Sequence, residues 1–168
     1  MNASRAFRLR ARIVVALVFI PLLTAGCGPT VDLTQGLRLE DVSTGWLDAG
    51  LVAGQNKLVP SVSLKLKNVS DVRLPALQVN AVFRRIGEAD EFGSRFLTAT
   101  GSVGLASSAT TDTLVLKSNL GYTSTDSRDD MLKNSQFVDA RVDVLVKYGS
   151  TQWTRLGEYT IDRRLLAP

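Results

Sequence analysis

Phe137-Val138-Asp139-Ala140-Arg141-Val142-Asp143-Val144-Leu145-Val146-Lys147-Tyr148 is the stretch whose reading decides the fold. Val138, Ala140, Val142, Val144, Val146 and Tyr148 alternate with Phe137, Asp139, Arg141, Asp143, Leu145 and Lys147. Extended backbone turns successive side chains to opposite faces, so a period of two predicts a strand with an apolar core face and a wet face. Asp139, Arg141 and Asp143 then form a solvated row, while Phe137 and Leu145 are apolar residues stranded on the wet face. Gly149-Ser150 reads as a hairpin turn into a second strand over 152–162. Upstream, Val62, Leu64 and Leu66 alternate with Ser61, Ser63, Lys65 and Lys67, and Leu77, Val79, Ala81 and Phe83 mark a strand over about 75–85. Segments 37–46, 92–103 and 112–117 complete a set of about seven strands. Polar faces turned outward predict an all-β, antiparallel two-sheet sandwich.

One segment breaks the alternation. Ser127-Arg128-Asp129-Asp130 has the form of a capping box with Asp in place of Glu, and Met131, Leu132 and Lys133 follow. It predicts one short helix near 127–134, with acids in its first turn and Lys133 at its end to suit the helix dipole.

Composition narrows the chemistry. The chain has 168 residues, 45% hydrophobic and 21% charged, which suits one globular domain. A single Cys excludes an internal disulfide, and the absence of His removes the imidazole that triads and many metal sites need. The net charge of +4 comes from Arg5, Arg8, Arg10 and Arg12, because residues 1–26 hold no acid and the rest of the chain is balanced. A neutral body lacks the electrostatic footprint of a phosphate binder, so no nucleic-acid partner is expected.

Those four arginines precede an apolar run over 13–23, too short for the roughly 20 residues that span a bilayer as a helix. Leu23-Thr24-Ala25-Gly26-Cys27 resembles the lipobox of bacterial lipoproteins. The resemblance implies that 1–26 is a signal peptide and that the Cys27 thiol accepts diacylglycerol, anchoring the protein to a membrane. Gly28, where Asp would favour inner-membrane retention, implies the outer membrane with the domain facing the periplasm. Residues 27–36 are then expected as a lipidated tether and 37–168 as the sandwich.

Val62-Ser63-Leu64-Lys65-Leu66-Lys67-Asn68-Val69-Ser70-Asp71, followed by the alternation from Leu77 to Phe83, resembles FxLYD-type and other immunoglobulin-like bacterial domains. In those domains a strand ends at an Asn-x-Ser turn and the next alternates toward an aromatic. The resemblance implies an immunoglobulin-like sandwich. Phe83-Arg84-Arg85-Ile86-Gly87 stands where the family has an aromatic-acid run, and no functional residue carries over.

Paired carboxylates are the catalytic class the composition leaves open. Asp129 with Asp130 is explained by the helix start, and Glu88, Asp90 and Glu91 by a solvated turn. The second cluster lacks the spaced Asp/Asn ladder and Gly of a calcium loop. No Gly-x-Ser-x-Gly or Ser-x-x-Lys is present, and Gly101-Ser102-Val103-Gly104 is not a phosphate loop. No cofactor or metal is expected. Trp46, Phe83, Tyr148 and Trp153 suit strand packing, whereas Phe92, Phe96 and Tyr122 fall near loops, where aromatics can anchor partners. The expectation is a non-enzymatic binding or scaffolding subunit for an envelope protein, using Phe137, Leu145 and Tyr122. A small-ligand-binding lipoprotein with a pocket at one sandwich end is the alternative, and a carboxylate-dependent hydrolase is third.

Overall fold

The alternation after Gly36 builds a long hairpin of two strands, β1 (Leu37–Val52) and β2 (Gln55–Asn68). Its turn holds Ala53 at φ +49° and Gly54 at φ +78°, the left-handed pair that a two-residue hairpin loop requires. Gly54 adopts that conformation with no Cβ to obstruct it. These strands belong to the region 31–167 described by a computed structural model. The leader and Cys27, on which the lipid-anchor expectation falls, lie outside the described residues. Among those residues no helix is long and apolar enough to cross a membrane.

Along its other edge β2 pairs antiparallel with two short strands, β5 (Leu114–Lys117) and β6 (Tyr122–Ser124). The second sheet runs β4 (Glu91–Thr98), β3 (Leu77–Arg85), β7 (Ala140–Tyr148), β8 (Thr154–Thr160), again wholly antiparallel. The hairpins β1–β2, β3–β4 and β7–β8 are linked by crossings between sheets, an immunoglobulin-like arrangement of an all-β sandwich. Between the sheets lie Trp46, Leu64, Leu66, Leu77, Phe83 and Val142, all without exposed surface. The strand expected over 92–103 ends at Thr98, and an eighth strand, β6, stands where a loop was expected.

The β1 edge of the first sheet is seamed. At β1 the C-terminal segment runs alongside, with the Trp46 amide donating to Arg164 O (2.8 Å) and the Leu166 amide to Trp46 O (2.9 Å). At the opposite corner the Ser94 amide of β4 donates to Asn119 Oδ1 (3.0 Å) just after β5. The covered β1 edge offers less of a template for intermolecular strand pairing.

The helix α2 (Arg128–Lys133) forms where the capping box predicts it. Ser127 Oγ accepts from the Asp130 amide (3.2 Å) and donates to the Asp130 carboxylate (2.5 Å). A helical turn that the sequence did not reveal, α1 (Leu33–Gly36), corrects the expected boundary. Asp32 caps it, Leu33 is 3% exposed, and the Val31 amide donates to Tyr148 Oη (2.7 Å). Residues 31–36, within the stretch 27–36 read as tether, are therefore packed on the sandwich; a single turn is too short to show a period.

The start of the deciding strand is also corrected. The Phe137 amide donates to Asn134 O (3.1 Å), so the chain is still turning there and β7 begins only at Ala140. Val138, expected in the core, is 41% exposed. From Ala140 on the expected faces hold: Val142, Val144 and Val146 are buried, and Arg141, Leu145 and Lys147 face outward.

Asn68, expected as a turn residue, is wholly buried and organises the end of β2. Its amide nitrogen donates to Val72 O (2.8 Å), Leu105 O (3.0 Å) and Ala106 O (3.0 Å). Its side-chain oxygen accepts from the Ser70 amide (3.0 Å) and hydroxyl (2.6 Å). One side chain thus ties together two loops, sharing their carbonyls with the Leu74 and Ala109 amides and the Ser70 hydroxyl.

Candidate functional site

The three residues expected to form one patch are divided between two places. Phe137 and Tyr122 meet in an aromatic cluster at the α2 end of the sandwich. Gly121 lets the chain lie against β2, since a Cβ there would stand 2.0 Å from Leu58 O, and this close approach turns Tyr122 toward the core. Tyr122 stacks on Phe92 (4.9 Å between centroids) and on Trp46 (5.6 Å). Phe137 meets Trp46 (4.7 Å) and Tyr122 (5.0 Å) edge to face. Phe137 is therefore partly buried packing, not an outward residue of β7, because the turn from Asn134 aims it inward.

Two arginines that the sequence did not single out hold this cluster. The Arg85 guanidinium lies 4.5 Å over Phe92, and its Nε donates to Tyr122 Oη (3.1 Å). Arg163 lies 5.4 Å over Phe137 and donates to Phe137 O (2.7 Å), to Asn134 O (3.3 Å) after α2, and to the Asp139 carboxylate (2.6 Å). That bond to Asp139 holds the Arg163 guanidinium above its usual pKa. Burial pushes the Tyr122 phenol up, against the opposing pull of Arg85. A groove of about 200 Å³ lies outside the cluster, between Tyr122, Met131 and Phe137.

Leu145 lies on the outer face of the other sheet, in register with Asn80 of β3 and Arg155 of β8. Asn80 is in turn opposite Phe96 of β4, so Phe96 and Leu145 share one row across the sheet. Phe96 is 51% exposed and meets Trp153 edge to face at 6.1 Å. Trp153, grouped with the packing aromatics in the sequence, remains 37% exposed, with Lys147 Nζ 4.9 Å from its ring. An apolar strip of Phe96, Trp153 and Leu145 results. The alternation could reveal Leu145 but not its neighbours, which arrive from β4 and from the turn before β8.

Beside this strip two acids are each held by two arginines. Asp143, read from the sequence as solvated, is only 8% exposed because Arg84 and Arg155 clamp its carboxylate from β3 and β8. Glu158 bridges Arg141 (2.8 Å) and Arg155; partial desolvation raises its pKa, but the two guanidinium charges outweigh that and hold it low. The carboxylates weighed for catalysis stay apart. Glu88 pairs with Arg85 (3.1 Å), and Asp130 bonds the cap of α2. Among the described residues no three acidic, Cys or His side chains converge as metal ligands.

No family model and no curated protein matches the chain. Among solved structures it is similar to a protein of Arabidopsis thaliana, at 12% identity and TM-score 0.37 over 72% of this chain and 71% of that one. The ligand binding region of serine-glutamate repeat protein A of Enterococcus faecium matches at 17% identity and TM-score 0.32, over 77% and 100%. A protein from Archaeoglobus fulgidus matches at 13% identity and TM-score 0.35, over 74% and 98%. Likeness at this level carries no functional argument.

Proposed function

We propose that this chain is a lipid-anchored envelope protein, held to a bacterial outer membrane through Cys27, whose sandwich binds or scaffolds another envelope protein without catalysis. The arginine-rich leader and Leu23-Thr24-Ala25-Gly26-Cys27 support the anchor. The observation that carries the binding role is the exposed Phe96–Trp153 pair in a row with Leu145, set among mutually paired charges. Aromatic anchors on a face whose acids are all paired suit a protein contact, where a few apolar side chains supply most of the affinity. The surface differs from the expected one: Leu145 keeps its role, and Phe96 and Trp153 take the places of Phe137 and Tyr122. The groove beside Tyr122, at the α2 end of the sandwich, falls below the roughly 300 Å³ at which small-molecule pockets begin, so it is not the end pocket that the ligand-binding alternative asks for.

The test uses the full chain captured from its native membranes. Replacing Phe96 and Trp153 together by Ser should reduce co-purified partner about tenfold, with little change in melting temperature. Capture that survives the double substitution removes the strip as the binding surface. The anchor is tested separately: Cys27→Ser should abolish incorporation of a fatty-acid analogue, and unchanged incorporation refutes the lipobox reading.

A further inference from the structure

The opposite face of the sandwich carries a second apolar surface of different character. On the outside of the β1-β2-β5 sheet lies a hollow of about 440 Å³. Leu47 and Val59 are register partners across β1 and β2, and Val59 at the base is 3% exposed. Val115 of β5 is 53% exposed, and Ala167, beyond the segment that runs beside β1, lines the hollow with them. All four are aliphatic, and among the described residues no aromatic ring takes part in the lining.

Arg95 and Lys117 also line this hollow. Neither forms an ion pair among the described residues, where most arginines near the surface are matched. Asp48, the acid on the same lining, is already held by Arg128 (2.5 Å), which keeps its carboxylate below the usual pKa. Its charge is therefore engaged elsewhere.

We propose that this hollow binds one long-chain fatty carboxylate, its acyl tail along Leu47, Val59 and Val115 and its carboxylate held by Arg95 and Lys117. The volume lies within the range of small-molecule sites, roughly 300–1,000 Å³. An aliphatic lining without rings suits an unbranched chain, which asks for no stacking and no polar partner along its length. Two unmatched cations beside apolar walls favour an anionic head, because partial exclusion of water strengthens their attraction. A peptide added as a strand would need an unpaired strand edge, and the floor of this hollow is the face of a sheet. The site lies on the other face from the Phe96–Trp153 strip and stands independently of it.

The experiment uses the full chain in nanodiscs of neutral lipid, with a diazirine-bearing palmitate analogue as the probe and mass spectrometry to locate its adducts. Adducts are expected on the peptides carrying Val59 and Val115, competed by palmitate but not by hexadecanol. Arg95→Glu with Lys117→Glu, both exposed, should lower labelling about tenfold with the melting temperature retained. Val115→Trp should block it by filling the hollow. Labelling spread evenly over the domain, unaffected by the charge reversals, or competed equally by hexadecanol overturns the proposal.

Discussion

Asn68 shows how much of a fold one residue can hold. Its amide nitrogen serves three backbone carbonyls in the dry interior, and its oxygen fixes Ser70. Asn68→Ala should cost about 2 kcal/mol, because a buried amide that joins two loops is lost, while Val72 O, Leu105 O and Ala106 O each keep a second donor in the Ser70 hydroxyl and the Leu74 and Ala109 amides. Urea unfolding of the variant measures this, and a loss under about 1 kcal/mol would mean that water replaces the amide. The sequence marks Asn68 as a turn former, which is correct locally. Its bonds to Leu105 and Ala106 depend on a loop 37 and 38 residues away, beyond the reach of any local pattern. Tyr122 carries a pH dependence of definite sign. Burial raises its folded pKa above the ordinary phenol value, and its hydroxyl donates to Val138 O (3.2 Å). The unfolded phenol ionises near about pH 10 while the folded one keeps its proton, so stability is intact below that pH and falls as the folded pKa is passed. Tyr122→Phe should flatten the alkaline decline in unfolding free energy. It should not abolish it, since burial also raises Tyr159. An identical decline in wild type and variant places the alkaline sensitivity elsewhere.

At the scale of the element, β7 offers the direct check on which face is which. Val142 is paired with Phe83 and Tyr159 and has no exposed surface, whereas Arg141 bonds Glu158 at the surface. Val142→Asp should destabilise the domain by about 4 kcal/mol, since it buries an unpaired charge. Arg141→Ala should cost about 0.5 kcal/mol or less, as surface ion pairs contribute little. Denaturant curves that shift equally for both would mean the faces are misassigned. Alternation was enough to identify β7 and the inward residues of β2 and β3, and the capping box to identify α2, because each is a local pattern with a local cause. It failed at the ends. Phe137 continues the period of two on paper, but the turn from Asn134 and the clasp of Arg163 hold it out of the strand. Asp143 lies on the outward face as read, yet it is buried, because alternation assigns a face and says nothing of the arginines arriving from β3 and β8. The Phe96–Trp153 strip was illegible for the same reason: its members are 57 residues apart and meet only through the β4-β3-β7-β8 order.

The domain as a whole depends on its two chain ends being tied to strands of the sandwich. The C-terminal segment pairs with β1 through Trp46, and Thr44 Oγ1 donates to Thr160 O (2.9 Å), joining the first sheet to the end of β8. At the other end, Leu33 seals the core beneath α1, and Val31 bonds the Tyr148 hydroxyl of β7. A chain begun at Val31 should therefore fold cooperatively with a strand-dominated circular dichroism spectrum. One begun at Leu37, the boundary that the sequence suggests, should fold less stably by about 3 kcal/mol. Leu33 is nearly fully buried, and its removal strips aliphatic cover from the core, a loss of about 2–3 kcal/mol. The Tyr148 hydroxyl also loses its donor at Val31. Gly36 adds to this, since its carbonyl accepts from the amides of Val69 (2.9 Å) and Ser70 (3.2 Å) and so steadies the turn that Asn68 organises. Urea midpoints of the two chains decide the matter. A lower midpoint for the shorter chain with an unchanged slope assigns 31–36 to the domain, leaving only the residues before Val31 to act as tether. Coincident curves would return the whole of 27–36 to the tether and make α1 an ornament of the fold.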